Sequence, residues 1–145
     1  MWREMIIGWN VGCTFSDPAT SSEIDDLEKT FGIQIPEHLK ELLLESNGIT
    51  GTYGLDVVWS TAGIKGQNLD MRHDKDFQDM FMPFDHLLFF GSNGAGDYYG
   101  YPISAAQTIS GSEIFCWYHE NDDRIVAAFS LEAYLNEVLH YGSDK

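Results

Sequence analysis

The spacing of apolar residues changes twice along this chain, and that change constrains its fold more than any other feature. Both ends carry apolar residues at helical spacing, and the middle carries short β-branched and aromatic runs. Helices are predicted over 2–9, 22–31, 36–46 and 131–140, and strands over 55–59, 87–90, 98–101, 114–118 and 125–129. This order is typical of an α+β domain, with a mostly antiparallel sheet and helices packed mainly on one face.

Local signals mark where two of these helices begin or end. Thr20, followed three residues later by Glu23, has the form of a capping box. Pro36 suits the first turn of the next helix, where its missing N–H costs no hydrogen bond. Asn47-Gly48 is expected to end that helix, because both residues tolerate the left-handed conformation.

A polar stretch, 61–85, separates the first two predicted strands. It is predicted as a long loop region with a short helix near 77–81. The chain has no internal repeat, low-complexity tract or Pro/Gly/Ser-rich linker. The 145 residues, 1–145, are therefore expected to form a single domain.

Acidic residues outnumber basic ones by 23 to 8, which gives a formal net charge of −15. Such a surface repels nucleic acid and anionic membranes and attracts basic proteins. The N-terminal residues lack an apolar leader, and the apolar runs are too short to cross a bilayer. We expect a cytoplasmic protein in which Cys13 and Cys116 are reduced, one disulfide between them being the alternative.

Four short motifs occur in a distinctive order. The segment 33–36 leads into a leucine-rich helix, 90–98 has the sequence FGSNGAGDY, 117–120 ends a strand, and 127–130 enters the last helix. Over residues 20–141 this combination resembles the SUKH superfamily, which includes fungal cell-wall-assembly regulators of the Smi/Knr type and many bacterial immunity proteins. The residues that carry the resemblance are Pro36, Asn47, Gly48, Gly91, Gly94, Gly96, Asp97 and Trp117.

The resemblance implies an α+β fold with a curved sheet and no known enzymatic activity. Its bacterial members commonly protect cells from polymorphic toxins, many of which are nucleases. The fungal members are thought to act as regulatory modules that bind cellular proteins.

The glycine-rich run 91–96 also suggests a nucleotide-binding loop. A phosphate loop needs a helix N-terminus and usually a lysine followed by serine or threonine. Here Asp97 and a predicted strand follow instead. We expect a turn without a nucleotide, in which Asp97 accepts hydrogen bonds from nearby donors; the segment fits either a fold-defining turn or a partner surface.

Catalytic and metal sites are not predicted. His73, His86 and His119 lie beside carboxylates, but their spacing matches neither a zinc nor a calcium motif. No serine or cysteine has the local setting of a nucleophile. The sequence therefore predicts no catalytic residue, no metal and no cofactor.

The acidic segments are better candidates for partner binding, because binding residues concentrate on loops. The candidates are Asp70, Asp74, Asp76 and Asp79 in the long loop region, Asp97 in the glycine-rich run, Glu120, Asp122 and Asp123 in a predicted hairpin turn, and Trp59 as an aromatic anchor. The alternative for the charges is a solvated surface, and the alternative for Trp59 is a place in the core.

These features predict an immunity protein that neutralises a polymorphic toxin by stoichiometric binding, and the toxin expected is a basic nuclease. A non-enzymatic regulatory module like the fungal proteins is the second hypothesis, and an enzyme is the third. The sequence leaves the identity of the toxin and the oligomeric state open.

Overall fold

The computed structural model describes residues 1–140. The helices in that range are α1 Trp2–Gly8, α2 Ser21–Phe31, α3 Glu37–Glu45, α4 Thr61–His73, α5 Lys75–Met80 and α6 Leu131–His140. The strands are β1 Thr14–Phe15, β2 Ile49–Thr50, β3 Asp56–Val58, β4 Leu87–Ser92, β5 Tyr98–Pro102, β6 Ile114–Tyr118 and β7 Asp123–Ala128.

Every strand pairing is antiparallel, in one sheet of order β1-β2-β3 and a second of order β4-β5-β6-β7. The predicted α+β class and antiparallel pairing are confirmed, with the strands divided between two sheets. Helix α6 packs against β3 and β7, and α4 packs against β4. Helix α2 packs on α4, and α1 packs on α3.

Helix α2 begins as the sequence predicts. The Thr20 hydroxyl accepts a hydrogen bond from the Glu23 N–H at 3.1 Å, and the Glu23 carboxylate accepts one from the Thr20 N–H at 2.9 Å. This reciprocal pair satisfies two backbone donors that the helix itself leaves free. The apolar residues of α2 then lie on one buried face.

The segment 61–85 corrects the sequence prediction, because most of it is helical. Helix α4 buries Thr61, Ile64, Asn68 and Met71, which lie three or four residues apart on one face. Two of these four residues are polar, so the sequence shows no apolar stripe. The predicted short helix near 77–81 is α5, which begins and ends earlier, at Lys75–Met80.

One edge of the four-stranded sheet, at β4, is covered by α4. The side chain of Asn68 accepts a hydrogen bond from the Phe89 N–H at 2.9 Å and donates one to the Phe89 carbonyl at 2.8 Å. The Arg72 guanidinium donates to the Leu87 carbonyl at 3.1 Å. These side chains supply the backbone partners that a neighbouring strand would otherwise provide.

The core is continuous between the two sheets. The ring of Tyr134, from α6, packs edge-on against Phe90 with a centroid separation of 5.2 Å. Its hydroxyl donates to the Val57 carbonyl of β3 at 2.7 Å. Helix α6 thereby joins the small sheet to the large one.

Candidate protein-binding surface

The structure connects two of the acidic segments that the sequence singles out. The Asp122 carboxylate, in the β6–β7 turn, accepts a hydrogen bond from the N–H of Met82, just after α5, at 2.9 Å. Beneath that contact, the rings of Phe81 and Trp117 pack edge-on at 5.1 Å. The chain segment that follows α5 is therefore fixed against the β6–β7 turn.

We call the exposed carboxylates of α5 and of this turn the acidic ridge. Its members are Asp74, Asp76, Asp79, Glu120 and Asp123, all of them exposed. Met80 and Met82, also exposed, lie along the same segment. Asp70 is exposed on α4, one turn before Asp74, and stands outside this definition. The ridge thus combines several negative charges with flexible apolar side chains, which adapt readily to a partner surface.

Asp74 has a structural role in addition to its charge. Its carboxylate accepts hydrogen bonds from the N–H groups of Asp76 and Phe77 at 2.8 and 3.1 Å and so caps α5. Lys75 is the one basic residue within α5.

Asp122 is engaged inside the fold. Besides Met82, it accepts hydrogen bonds from the Trp117 indole N–H and from the Arg124 guanidinium, each at 2.8 Å. Burial opposes ionisation of Asp122, but these hydrogen bonds and the Arg124 charge outweigh it and lower its pKa. Arg124 also donates to the carbonyls of Met82 and Pro83, so it fixes this segment to β7.

Asp97 is engaged in the same way. Its carboxylate accepts hydrogen bonds from the Asn93 amide at 2.9 Å and from the His119 N–H at 3.0 Å, and it lies 2.7 Å from Nδ1 of His119. Burial raises the pKa of Asp97, but the Asn93 and His119 contacts outweigh that and lower it. The prediction that Asp97 bonds to nearby protein groups is confirmed, and these bonds tie the β4–β5 turn to the end of β6.

The glycine-rich run is a strand end followed by a turn. Gly91 lies within β4, which corrects the prediction that 91–96 is all turn, and a Cβ there would collide with the Val57 carbonyl. Gly94 and Gly96 have φ values of 80° and 97°, which L side chains rarely adopt. The fold therefore requires glycine at three positions of this run, Gly91, Gly94 and Gly96.

Other residues that carry the resemblance join α3 to α4. The Asn47 side chain accepts a hydrogen bond from the Thr61 N–H, the first of α4, at 2.8 Å. Gly48 has a φ of 104°, and a Cβ there would come within 3.0 Å of the Val58 carbonyl. Pro36 immediately precedes α3 as its N-cap residue.

Trp59 lies in the core and not on the surface. The Trp59 ring is buried and packs edge-on against Tyr98 with a centroid separation of 5.1 Å. The backbone N–H of Trp59 donates to the Phe90 carbonyl at 2.7 Å, which links the end of β3 to β4. The structure therefore favours the core alternative that the sequence leaves open for Trp59.

The cysteines are free thiols within the part of the chain that the structure describes. Burial raises the pKa of Cys13 and raises that of Cys116 to about 11, so both side chains are protonated at neutral pH. Over residues 1–140, no three His, Cys, Asp or Glu side chains converge where they could hold a metal ion. In that same range, the helices are too short or too polar to span a membrane.

One surface was not predicted from the sequence, the open edge of the four-stranded sheet at β7. Within residues 1–140, the backbone of β7 is hydrogen-bonded to no element other than β6. Ile125 and Val126 belong to an apolar run, which in a sequence predicts burial, yet the two residues are 53% and 40% exposed. Only the strand order shows that they lie at an edge.

A groove of about 570 Å³ lies between α6 and one face of the sheet, and it extends from Ser92 of β4 to Val126 and Ala127 of β7, at this edge. It is lined by Leu55, Ser92, Asn93, Ala95, Tyr99, Tyr118, Val126, Ala127, Tyr134, Glu137 and Val138. Glu137 is the one carboxylate in this lining. Burial raises the pKa of Tyr99, another residue of this lining, to about 12, so its phenol is neutral at physiological pH.

Comparison with known proteins gives one family. A model of the SMI1 / KNR4 family (SUKH-1) matches residues 18–137. An uncharacterized protein of Bacillus subtilis (strain 168), YnaB, is 30% identical over 93 residues, which cover 61% of this chain and 61% of that protein. The match therefore spans less than two thirds of the relative's length.

Proposed function

The chain belongs to the SMI1 / KNR4 family (SUKH-1), and from this premise we propose that it is an immunity protein that binds and neutralises a polymorphic toxin. Domains of this family are generally non-enzymatic and act through protein–protein contacts. We further propose that the toxin is a basic nuclease, that inhibition is stoichiometric and without turnover, and that it takes place in the cytoplasm.

The observation that carries this proposal is the acidic ridge. Its carboxylates are exposed, and the neighbouring basic side chain of Arg124 is largely buried and paired with Asp122 at 2.8 Å. A toxin that acts on nucleic acid needs basic side chains to bind phosphates. A surface that presents carboxylates around Met80 and Met82 complements such a cleft in both charge and apolar contact.

The net charge of −15 also supports a basic partner, because it attracts such a partner before the two surfaces touch. Opposite net charges raise the rate of encounter, whereas short-range packing sets the rate of dissociation. Salt screens this attraction, over about 8 Å at physiological ionic strength and over shorter distances as the salt concentration rises. Association should therefore slow as salt rises, and dissociation should change less.

The test is surface-plasmon kinetics against the product of the adjacent gene over a salt series. Replacing Asp74, Asp76 and Asp79 together by Asn should lower the association rate with little loss of stability, because Asn also caps helices and exposed substitutions cost less than about 0.5 kcal/mol each. The matched control replaces Asp17 and Asp25 by Asn and Glu37 by Gln. It removes the same number of charges from exposed positions outside the ridge.

An equal loss of association rate in both triple variants would show that net charge acts without the ridge. Salt-independent association, or no binding to that product, would contradict the inhibitor proposal. The second hypothesis, a regulatory module that binds a cellular protein, would then take its place. Turnover of any substrate that Asp97→Ala abolishes without unfolding the chain would instead support an enzyme.

A further inference from the structure

We propose that the partner docks on the open edge of the four-stranded sheet, where a basic, extended segment of the partner pairs with β7 as a fifth strand. This inference rests on the proposed function, since it names the docking surface for the same partner. It concerns a different surface from the acidic ridge, although the two meet at Asp123, where β7 begins.

The first argument is the contrast between the two edges of the sheet. At β4 the outward backbone groups of Phe89 are bonded to Asn68, and the Leu87 carbonyl is bonded to Arg72. At β7, within residues 1–140, the strand backbone bonds to β6 and, at its first residue Asp123, to the side chain of Asn121, but to no further strand or helix. Such a row of backbone donors and acceptors is a template for an added strand.

The second argument is apolar exposure along this edge. Phe129, directly after β7, is 73% exposed, and it follows the exposed Ile125 and Val126. Charged residues and proline commonly protect an edge strand; in β7 the charged residues Asp123 and Arg124 are confined to its start, and residues 125–128 contain neither a charge nor a proline. An added strand would remove these apolar side chains from water.

The third argument is the groove beside β7. Its lining is mostly apolar or aromatic, with the carboxylate of Glu137 among the residues of α6. A lysine or arginine places its aliphatic stem on apolar surface and its charged end near a carboxylate. The groove therefore fits one long basic side chain of the added segment.

Local charge distinguishes a basic partner from a second copy of this chain. Between residues 118 and 140 there are five carboxylates, Glu120, Asp122, Asp123, Glu132 and Glu137, against one guanidinium, that of Arg124. That guanidinium is occupied by Asp122. Pairing β7 with itself would bring two such surfaces together, and like charges across an interface disfavour association.

The experiment is a titration of the isotopically labelled full chain, followed by amide NMR shifts. The probe is a synthetic peptide of about eight residues that alternates lysine and valine, a length typical of a strand. We expect shifts at residues 123–129 and around Glu137, and none at Leu87–Phe90. A peptide that alternates glutamate and valine should not bind.

Two changes separate backbone pairing from charge attraction. N-methylation of every peptide amide removes its donors and should weaken binding at least about tenfold. Glu137→Gln should weaken binding by about threefold, since a single exposed charge pair contributes little. Glu37→Gln, on the exposed face of α3, is the matched control and should bind as the unaltered chain does.

Equal binding of the methylated peptide, shifts that avoid β7, or no binding at all would overturn the docking proposal. Concentration-dependent shifts at β7 without peptide would also overturn it, in favour of pairing with a second copy. The proposed function fails separately. In that case the lysine–valine peptide would still bind β7, but no toxin domain would bind the chain.

Discussion

The two edge strands of the four-stranded sheet, β4 and β7, each contain an apolar run, but the surroundings of the two runs are opposite. At β4, Leu87 and Phe89 are buried, and α4 supplies hydrogen-bond partners for their outward backbone groups. At β7, Ile125 and Val126 are exposed, and within residues 1–140 no strand other than β6 pairs with it.

At β4, polar side chains of α4 form the backbone hydrogen bonds that a neighbouring strand would otherwise provide, and β7 lacks such a cover within residues 1–140. Asn68 is a polar residue and only 1% exposed, and its side-chain amide forms hydrogen bonds with both the N–H and the carbonyl of Phe89. Buried backbone groups need such partners, whereas the backbone of β7 can bond to water until a partner arrives.

The largest expected effect follows removal of the cover at β4. Asn68→Ala leaves the N–H and carbonyl of Phe89 buried without partners. Since each of these two buried unsatisfied groups costs about 1–3 kcal/mol, the free energy of unfolding should fall by about 2–6 kcal/mol. Urea denaturation measures this loss. Gln67→Ala, at the exposed neighbouring position on α4, is the control, and equal stability of the two variants would contradict the proposed role of Asn68.

Replacing a valine by threonine should lower the free energy of unfolding by less than Asn68→Ala does, and by different amounts in the core and at the open edge. Val57→Thr in β3 buries a hydroxyl in the core and should destabilise the chain by about 2 kcal/mol. Val126→Thr in β7 should cost less than about 0.5 kcal/mol, because that side chain is already partly in water. Similar costs for both, in the same denaturation assay, would mean that β7 is covered in solution.

The smallest expected effect concerns pH, at the contact that joins the start of β4 to β7. Nε2 of His86 lies 2.9 Å from the Arg124 guanidinium. Because a guanidinium can only donate, Nε2 must accept this hydrogen bond, and only a neutral imidazole can do so. Burial and the Arg124 and Arg72 charges lower the pKa of His86 below 6.5, although Asp85 and Asp122 oppose them.

The folded chain therefore binds a proton on His86 less readily than the unfolded chain does. Its contribution to stability is complete above pH 6.5 and is lost as the pH falls through the lowered pKa. Denaturation over a pH series should show this loss, and His86→Gln should reduce it. A loss that is the same in the chain with His86 and in the His86→Gln variant would contradict this assignment.

Local signals were enough to predict much of the fold. The Thr20 and Glu23 pair identifies the start of α2, and the apolar runs identify five of the strands. Helix α4 was not predictable from its apolar spacing, because its buried face includes Thr61 and Asn68 and its sequence includes Gly63 and Gly66. These positions are helical because of tertiary contacts, which the sequence does not display.

The candidate surface was predictable only in part, for a similar reason. The acidic residues are visible in the sequence, but the Met82–Asp122 contact joins residues 40 positions apart. Asp97 and Asp122 look like the other acidic candidates until their hydrogen bonds are known. The exposure of β7 depends on strand order, which an apolar run does not specify.

Native-state amide hydrogen exchange, with and without the lysine–valine peptide, tests the central contrast between the edges most directly. In the free chain, the Phe89 amide should exchange only on extensive unfolding, whereas amides of β7 that point away from β6 should exchange fast. Adding the peptide should slow those β7 amides and leave Phe89 unchanged. Free-chain β7 amides that all exchange as slowly as Phe89, or no slowing on peptide addition, would contradict the account.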